Sequence, residues 1–180
     1  MEAFEPPQGM LLDLPPQFTP DELSTELINL HFKSSKCMAL IAFGNRVTST
    51  EEQNHIIQEC LIFHRWYLET LIEGRTMIQK RVHNGFRDFL WELQAIRGQV
   101  ELYKGKSESR LQQYGNILRE AGDGAKLAEN ITPPLVDNIL NGDKFCVWTP
   151  SIQAGVTDCI QAFARLIFQA LSVPLTHGKQ

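Results

Sequence analysis

Apolar residues recur at intervals of three and four along most of the chain, which is the spacing of an amphipathic α-helix. The most regular run predicts a helix over about 75–104, with core positions at Ile78, Val82, Phe86, Phe89, Leu93, Ile96 and Val100. The same spacing predicts further helices at about 19–32, 37–44, 50–73, 108–120, 132–142 and 150–172. We find no convincing strand pair or hairpin signal, although 144–148 is expected to be extended. The pattern therefore predicts an all-α protein.

Helix start signals precede several of these segments. Residues 19–22 (TPDE) and 49–52 (STEE) have the spacing of a capping box, in which a Ser or Thr and a Glu each bond the other's backbone N–H group. Ser107 can cap the helix that follows it, and Thr149 precedes a proline at a first helical position. By contrast, 122–130 (GDGAKLAEN) is predicted to be a loop.

The fold class follows from these elements. Because the predicted loops are mostly short, neighbouring helices should be antiparallel, and we expect an irregular antiparallel bundle of about five to seven helices. Residues 1–18 contain four prolines and are predicted to form an extended arm. Residues 19–174 then form a single helical domain, and 175–180 form a tail. The last helix is apolar over more than half of its circumference, so we expect it to be central or part of an oligomer interface.

Charge is distributed unevenly along the chain. The net charge of −4 argues against a protein that coats nucleic acid over its whole surface. Residues 74–110, however, carry eight basic and four acidic side chains, a net +4. If the protein binds nucleic acid, this segment would provide the phosphate contacts. The candidate residues for that alternative are Arg75, Lys80, Arg81, Arg87 and Arg97.

The compartment is inferred from what the sequence lacks. The first residues do not have the basic and apolar regions of a secretory signal, and no apolar run has the length of a membrane span. The four cysteines form no C-x-x-C pair, and we expect them to be reduced thiols. We therefore predict an intracellular protein, cytoplasmic or nuclear.

The stretch 51–64 has spacings at which helices hold metals. On a helix, however, its residues fall into two groups. Glu52, His55 and Glu59 are predicted to face solvent, while Cys60 and His64 are predicted to face the core. A zinc site would need two further ligands from other elements, so we predict no metal and no cofactor. A metal or haem protein with His64 as a ligand is the second alternative.

Two tryptophans fall outside the predicted core arcs. Trp66 lies with Ile62 among polar residues of the 50–73 helix, and Trp91 lies opposite the apolar centre of the next helix. Either a partner or another part of this chain should cover them, because exposed tryptophan is enriched at binding hot spots. We take Ile62, Trp66 and Trp91 as partner-binding residues. The arm adds three apolar candidates, namely Leu11, Leu12 and Leu14.

No motif for catalysis emerges. The chain has no phosphate-binding loop, no G-x-S-x-G and no H-E-x-x-H. The leading hypothesis is therefore a non-enzymatic helical interaction or assembly module, which presents helix faces and an N-terminal arm to a protein partner or to copies of itself.

Overall fold

The computed structural model describes residues 14–44, 49–97, 100–122, 124–139 and 149–176, with the side chains of 89–97, 100–104, 124 and 125 excluded. These ranges contain six helices and no strand, which confirms the all-α prediction. The helices are α1 (Pro20–Phe43), α2 (Thr50–Leu71), α3 (Thr76–Arg97), α4 (Val100–Ala121), α5 (Gly124–Ile139) and α6 (Pro150–Ser172).

The predicted caps are present. Thr19 and Glu22 form a reciprocal capping box at α1, and Ser49 and Glu52 form one at α2. At α6 the Thr149 hydroxyl accepts a hydrogen bond from the Ile152 backbone N–H at 3.2 Å. Each cap satisfies N–H groups that a helix end leaves without intrahelical partners.

The prediction of two helices at 19–32 and 37–44 was wrong, because α1 is continuous through both. The intervening residues include no glycine or proline that would end it. Ser35 remains compatible with the helix because its hydroxyl donates to the His31 carbonyl at 2.8 Å. Burial of Ser34 and Ser35 shows that this turn faces the interior.

Two other predicted boundaries were also wrong. Ser107 was expected to cap a helix, but it lies inside α4, which already includes Val100. At α5 the helix begins at Gly124 rather than at Thr132. Thr132 does not cap this helix, because its hydroxyl donates to the Ala128 carbonyl one turn earlier at 2.6 Å. Burial of Leu127, Ala128 and Ile131 explains why the helix extends through the predicted loop. The extended stretch predicted at 144–148 lies outside the described residues.

Contacts between helices set their directions. Cys37 lies beside Cys159, and Ile41 lies opposite Gly155, so α1 and α6 are antiparallel. At the far end of this pair, the backbone N–H of Phe18 donates to the Pro174 carbonyl at 2.9 Å, and the Thr176 N–H donates to the Phe18 carbonyl at 2.8 Å. The segment before α1 is thereby fastened to the segment after α6.

Among the described elements α2 has the most helix neighbours, whereas α6 was expected to be central or part of an oligomer interface. Among the described elements, α2 contacts α1, α4, α5 and α6, whereas α6 packs mainly against α1 and α5. The helix α4 runs parallel to α2, because Lys106 is next to His55 and Arg110 is next to Glu59. None of the described helices is long and apolar enough to cross a membrane.

Candidate functional site

The partner-binding residues predicted on α2 are covered by this chain. Ile62 is buried, and Trp66 is only 7% exposed. The Trp66 ring lies 5.3 Å from the ring centroid of Tyr114 on α4 and 5.9 Å from that of Tyr67. The sequence placed both residues outside the core arc and left open whether a partner or another part of this chain covers them. In the fold this chain buries both, and α4 contacts Trp66 through Tyr114.

The predicted polar face of α2 forms a helix interface. Glu59 was expected to face solvent, but its side chain is 0% exposed and receives two hydrogen bonds from Arg110 of α4. The Arg110 Nε–Glu59 Oε2 distance is 2.9 Å, and the Nη2–Oε1 distance is 3.2 Å. This bidentate geometry is the strong form of a charged hydrogen bond. The pair therefore joins α2 to α4 in the interior.

His55 extends the same interface to α5. Its Nε2–H group donates to the Asn138 carbonyl at 2.8 Å, and its Nδ1 accepts from Lys106 Nζ at 3.0 Å. The Asn138 side chain in turn donates to Gln113 Oε1 at 2.9 Å and to Tyr114 Oη at 3.2 Å. These contacts link α2, α4 and α5. They use both ring nitrogens of His55, whose spacing from Glu52 and Glu59 had resembled that of metal ligands.

Cys60 and His64 face the core, as predicted. The His64 Nδ1–H group donates to the Cys60 carbonyl at 2.9 Å, and Phe163 of α6 contacts the imidazole edge to face at 4.8 Å. Burial lowers the pKa of His64 to about 3, so the ring is neutral near pH 7. Burial also raises the pKa of the Cys60 thiol, which is completely enclosed.

A second buried histidine, His31 of α1, was not identified from the sequence. Its Nε2–H group donates to the Leu61 carbonyl of α2 at 3.0 Å, and its ring is 4.7 Å from that of Phe86 on α3. Burial lowers the pKa of His31 to about 4. Its position among the apolar residues Leu27, Leu30 and Met38 on a helical face was the available signal.

For the alternative of a metal or haem ligated by His64, the described residues supply no further metal ligand beside that histidine. Nδ1 of His31 and Nε2 of His64 have no hydrogen-bond partner in the described structure. A carbonyl fixes each ring tautomer, as in many metal-binding histidines. Yet the described residues contain no group of three or more His, Cys, Asp or Glu side chains that could hold a metal ion.

Part of the predicted contact set cannot be placed. Leu11 and Leu12 and the side chain of Trp91 lie outside the described residues. Leu14 is half-buried and packs against the core. The last residues of the predicted arm therefore lie on this chain's own domain.

The predicted basic segment divides into paired and exposed cations. Arg81 pairs with Asp21 of α1, and Arg87 pairs with the adjacent Asp88 at 3.7 Å. Arg75 and Lys80 are exposed at the start of α3, and the Arg97 side chain is outside the described set. Two of the four cations that can be described thus have acidic neighbours on this chain.

Among the described residues, one exposed aromatic side chain was also missed by sequence reasoning. Phe168 of α6 is 54% exposed, whereas every other described phenylalanine, tyrosine or tryptophan is buried or half-buried. It lies three residues after Arg165 and seven after Gln161, on the narrow polar side of α6 formed by Asp158, Gln161, Arg165 and Gln169. Its place on a strip that is otherwise polar was the signal that could have found it.

Comparisons with known proteins add no assignment to this geometry. No protein-family model matches the chain, and neither a curated protein nor a solved structure is significantly similar to it.

Proposed function

We propose that this chain is a non-enzymatic helical interaction or assembly module whose contact surface is the outer face of α6 near its C-terminal end. The exposure of Phe168 carries the proposal. Aromatic residues and arginine are enriched at interface hot spots, and Arg165 stands one helical turn before Phe168 without an ion pair to any described residue. Leu175, which is 37% exposed, follows α6 and adds apolar surface at this end.

The size of the contribution can be worked from the exposed area. A phenylalanine buries about 150–250 Å² when it is fully enclosed, so covering the exposed half of Phe168 removes about 100 Å² from water. At about 25 cal/mol per Å² this contributes roughly 2–3 kcal/mol to association. Such a contribution suits one anchor residue of an interface and does not account for a whole interface.

The interior polar groups support a structural role for the rest of the molecule. Glu59 with Arg110, and His55 with Lys106 and Asn138, each join separate helices. A framework held by such contacts can present a helix face in a fixed geometry, as an interaction module requires.

Self-association of the full chain provides the first test. We would measure sedimentation velocity over a wide concentration range for the wild type, for Phe168→Ser and for Leu40→Ser. Leu40 is a matched control, because it is 59% exposed on the outer face of α1. We expect Phe168→Ser to weaken association at least about tenfold and Leu40→Ser to leave it unchanged. Equal weakening by both substitutions would show non-specific hydrophobic contact.

A different protein as partner requires a second measurement. A photo-crosslinking amino acid placed at 168, or at 40 as the control, would be activated in cells of the source organism. The proposal expects a discrete adduct from position 168 and none from position 40. A wild type that stays monomeric, combined with no adduct specific to position 168, would overturn the proposal.

A further inference from the structure

Two cysteines that are far apart in the sequence lie side by side in the fold. The Sγ atoms of Cys37 on α1 and Cys159 on α6 are 3.7 Å apart, although the residues are separated by 122 positions. Both are free thiols. A disulfide requires the sulfurs to approach to about 2.05 Å, so the two sulfurs, carried on helices that already pack together, must move about 1.7 Å closer.

The two thiols are in unequal environments. Cys159 is buried, whereas Cys37 is half-buried and therefore the more exposed of the two. The Cys159 S–H group donates to the Cys37 sulfur, which lowers the pKa of Cys37 to about 6 and raises that of Cys159. A thiolate is the nucleophilic form of cysteine, so Cys37 is the sulfur that reacts first and Cys159 is the partner that resolves the product.

Contacts near the cysteines and at the far end of the helix pair hold α1 and α6 together. Close to it, Gly155 lies opposite Ile41, and a Cβ atom at Gly155 would be 3.0 Å from Ile41 Cγ2. The helices are therefore close together beside the thiols. The hydrogen bonds of Phe18 with Pro174 and Thr176 fasten the other end of the same helix pair, so the two sulfurs are carried by elements held at both ends.

We propose that Cys37 and Cys159 form a peroxide-sensitive thiol pair that closes to a disulfide between α1 and α6. The Cys37 thiolate attacks one oxygen of a peroxide, and the O–O bond breaks. With hydrogen peroxide, Cys37 becomes a sulfenic acid and the departing hydroxide takes up a proton to form water. The Cys159 sulfur then attacks the Cys37 sulfur, the S–O bond breaks, and a second water leaves with the Cys159 proton. The two thiols lose two electrons in total, and the peroxide accepts them.

The disulfide would close most of the chain into one loop. Such a cross-link restricts the unfolded state, and the effect increases with loop length. It would also fix the contact between α1 and α6. Oxidation should therefore raise the thermal unfolding midpoint of the full chain by several degrees, and reduction with dithiothreitol should reverse the shift.

The test uses the full chain, reduced and then exposed to hydrogen peroxide near stoichiometry. Remaining thiols are alkylated, and intact mass and peptide mapping follow. We expect a loss of two hydrogens and a cross-linked peptide pair containing Cys37 and Cys159. Failure to find that pair in the wild type, or a disulfide that maps to other cysteines, would overturn the proposal.

Single substitutions separate the two roles. Cys37→Ser should abolish the disulfide and leave no sulfenic acid at either position. Cys159→Ser should also abolish it, but should accumulate a sulfenic acid at Cys37 that a cyclic 1,3-dione traps. Cys146→Ser is the matched control, and the mass loss and the mapped pair should persist in it. Loss of the mapped disulfide in Cys146→Ser would also contradict the direct reaction of Cys37 with Cys159.

Discussion

Mild acid should destabilise this protein before its carboxylates become protonated. His31 and His64 are enclosed in the core, and burial lowers their pKa values to about 4 and about 3. Each ring uses one N–H group to donate to a backbone carbonyl of α2, Leu61 or Cys60. The His31 ring also contacts Phe86, and the His64 ring contacts Phe163. A phenylalanine ring cannot form an ion pair with a protonated histidine.

The sign of this pH dependence follows from the number of protons that the folded and the unfolded states bind. An unfolded histidine titrates near pH 6.5, whereas both native histidines remain neutral until the pH is much lower. Between pH 6.5 and about 4 the unfolded state therefore binds more protons, and the free energy of unfolding decreases as the pH falls. The stabilisation from keeping both histidines neutral is fully present above about pH 6.5. The decline ends as the pH passes through the native pKa values of about 4 for His31 and about 3 for His64.

The size of the decrease in the free energy of unfolding follows from the same pKa values. At pH 5.5 a histidine with an unfolded pKa near 6.5 and a native pKa well below 5.5 lowers the free energy of unfolding by about 1.4 kcal/mol relative to neutral pH. This holds for His31 and His64 alike, so together they remove about 3 kcal/mol. Domains are typically stable by only about 5–15 kcal/mol, and the change is therefore large enough to measure.

Urea unfolding of the full chain at pH 7.5, 6.5 and 5.5 measures this effect, with the fluorescence of the buried Trp66 among its signals. His64→Gln should lose only about half as much stability over this range as the wild type, whatever its stability at pH 7.5. His83→Gln is the matched control, because His83 is exposed, and it should retain the wild-type decline. Equal stability of the wild type at pH 7.5 and 5.5, or an undiminished decline in His64→Gln, would refute the reasoning.

Four further substitutions test individual contacts in the fold. Arg110→Ala should lower the free energy of unfolding by about 3 kcal/mol or more, because it leaves the fully buried Glu59 carboxylate without its partner. The control Arg81→Ala, at a surface pair, should lower it by about 1 kcal/mol or less. Urea unfolding measures both changes. Trp66→Ala should cost about 3–5 kcal/mol as a large-to-small core substitution, and a loss below 1 kcal/mol would show that the ring is not core. Ser49→Ala should cost about 1 kcal/mol through loss of the α2 cap, which thermal unfolding would detect as a shift of a few degrees.

Local signals predicted the helices better than they predicted their ends. The capping boxes at 19–22 and 49–52 were confirmed because they depend only on residues within one turn. The ends of α4 and α5 were not predicted, because Ser107 and Thr132 are common in caps but also tolerated inside helices. At Thr132 the hydroxyl bonds the preceding turn and also lies 3.0 Å from the Thr157 hydroxyl of α6. Only the tertiary structure shows that second contact.

The faces of α2 were misjudged for a related reason. A helical wheel with one apolar arc assumes one buried side, and on that assumption Glu59, Ile62 and Trp66 face water. A central helix is covered on several sides, and its second side can be polar if each charge has a partner. Arg110, the partner of Glu59, is 51 residues away, so no local pattern reports the pair.

The same reasoning changes where an interaction surface should be sought. An apolar residue that interrupts a polar strip indicates a binding surface only when no other helix packs on that strip. On α2 the strip that contains Trp66 is covered by α4 and α5, and so the tryptophan is core. On α6 the described helices leave the Phe168 ring 54% exposed. Trp66 and Phe168 interrupt similar sequence patterns. Trp66 belongs to the core because neighbouring helices cover it, whereas Phe168 is not covered and can contact a partner.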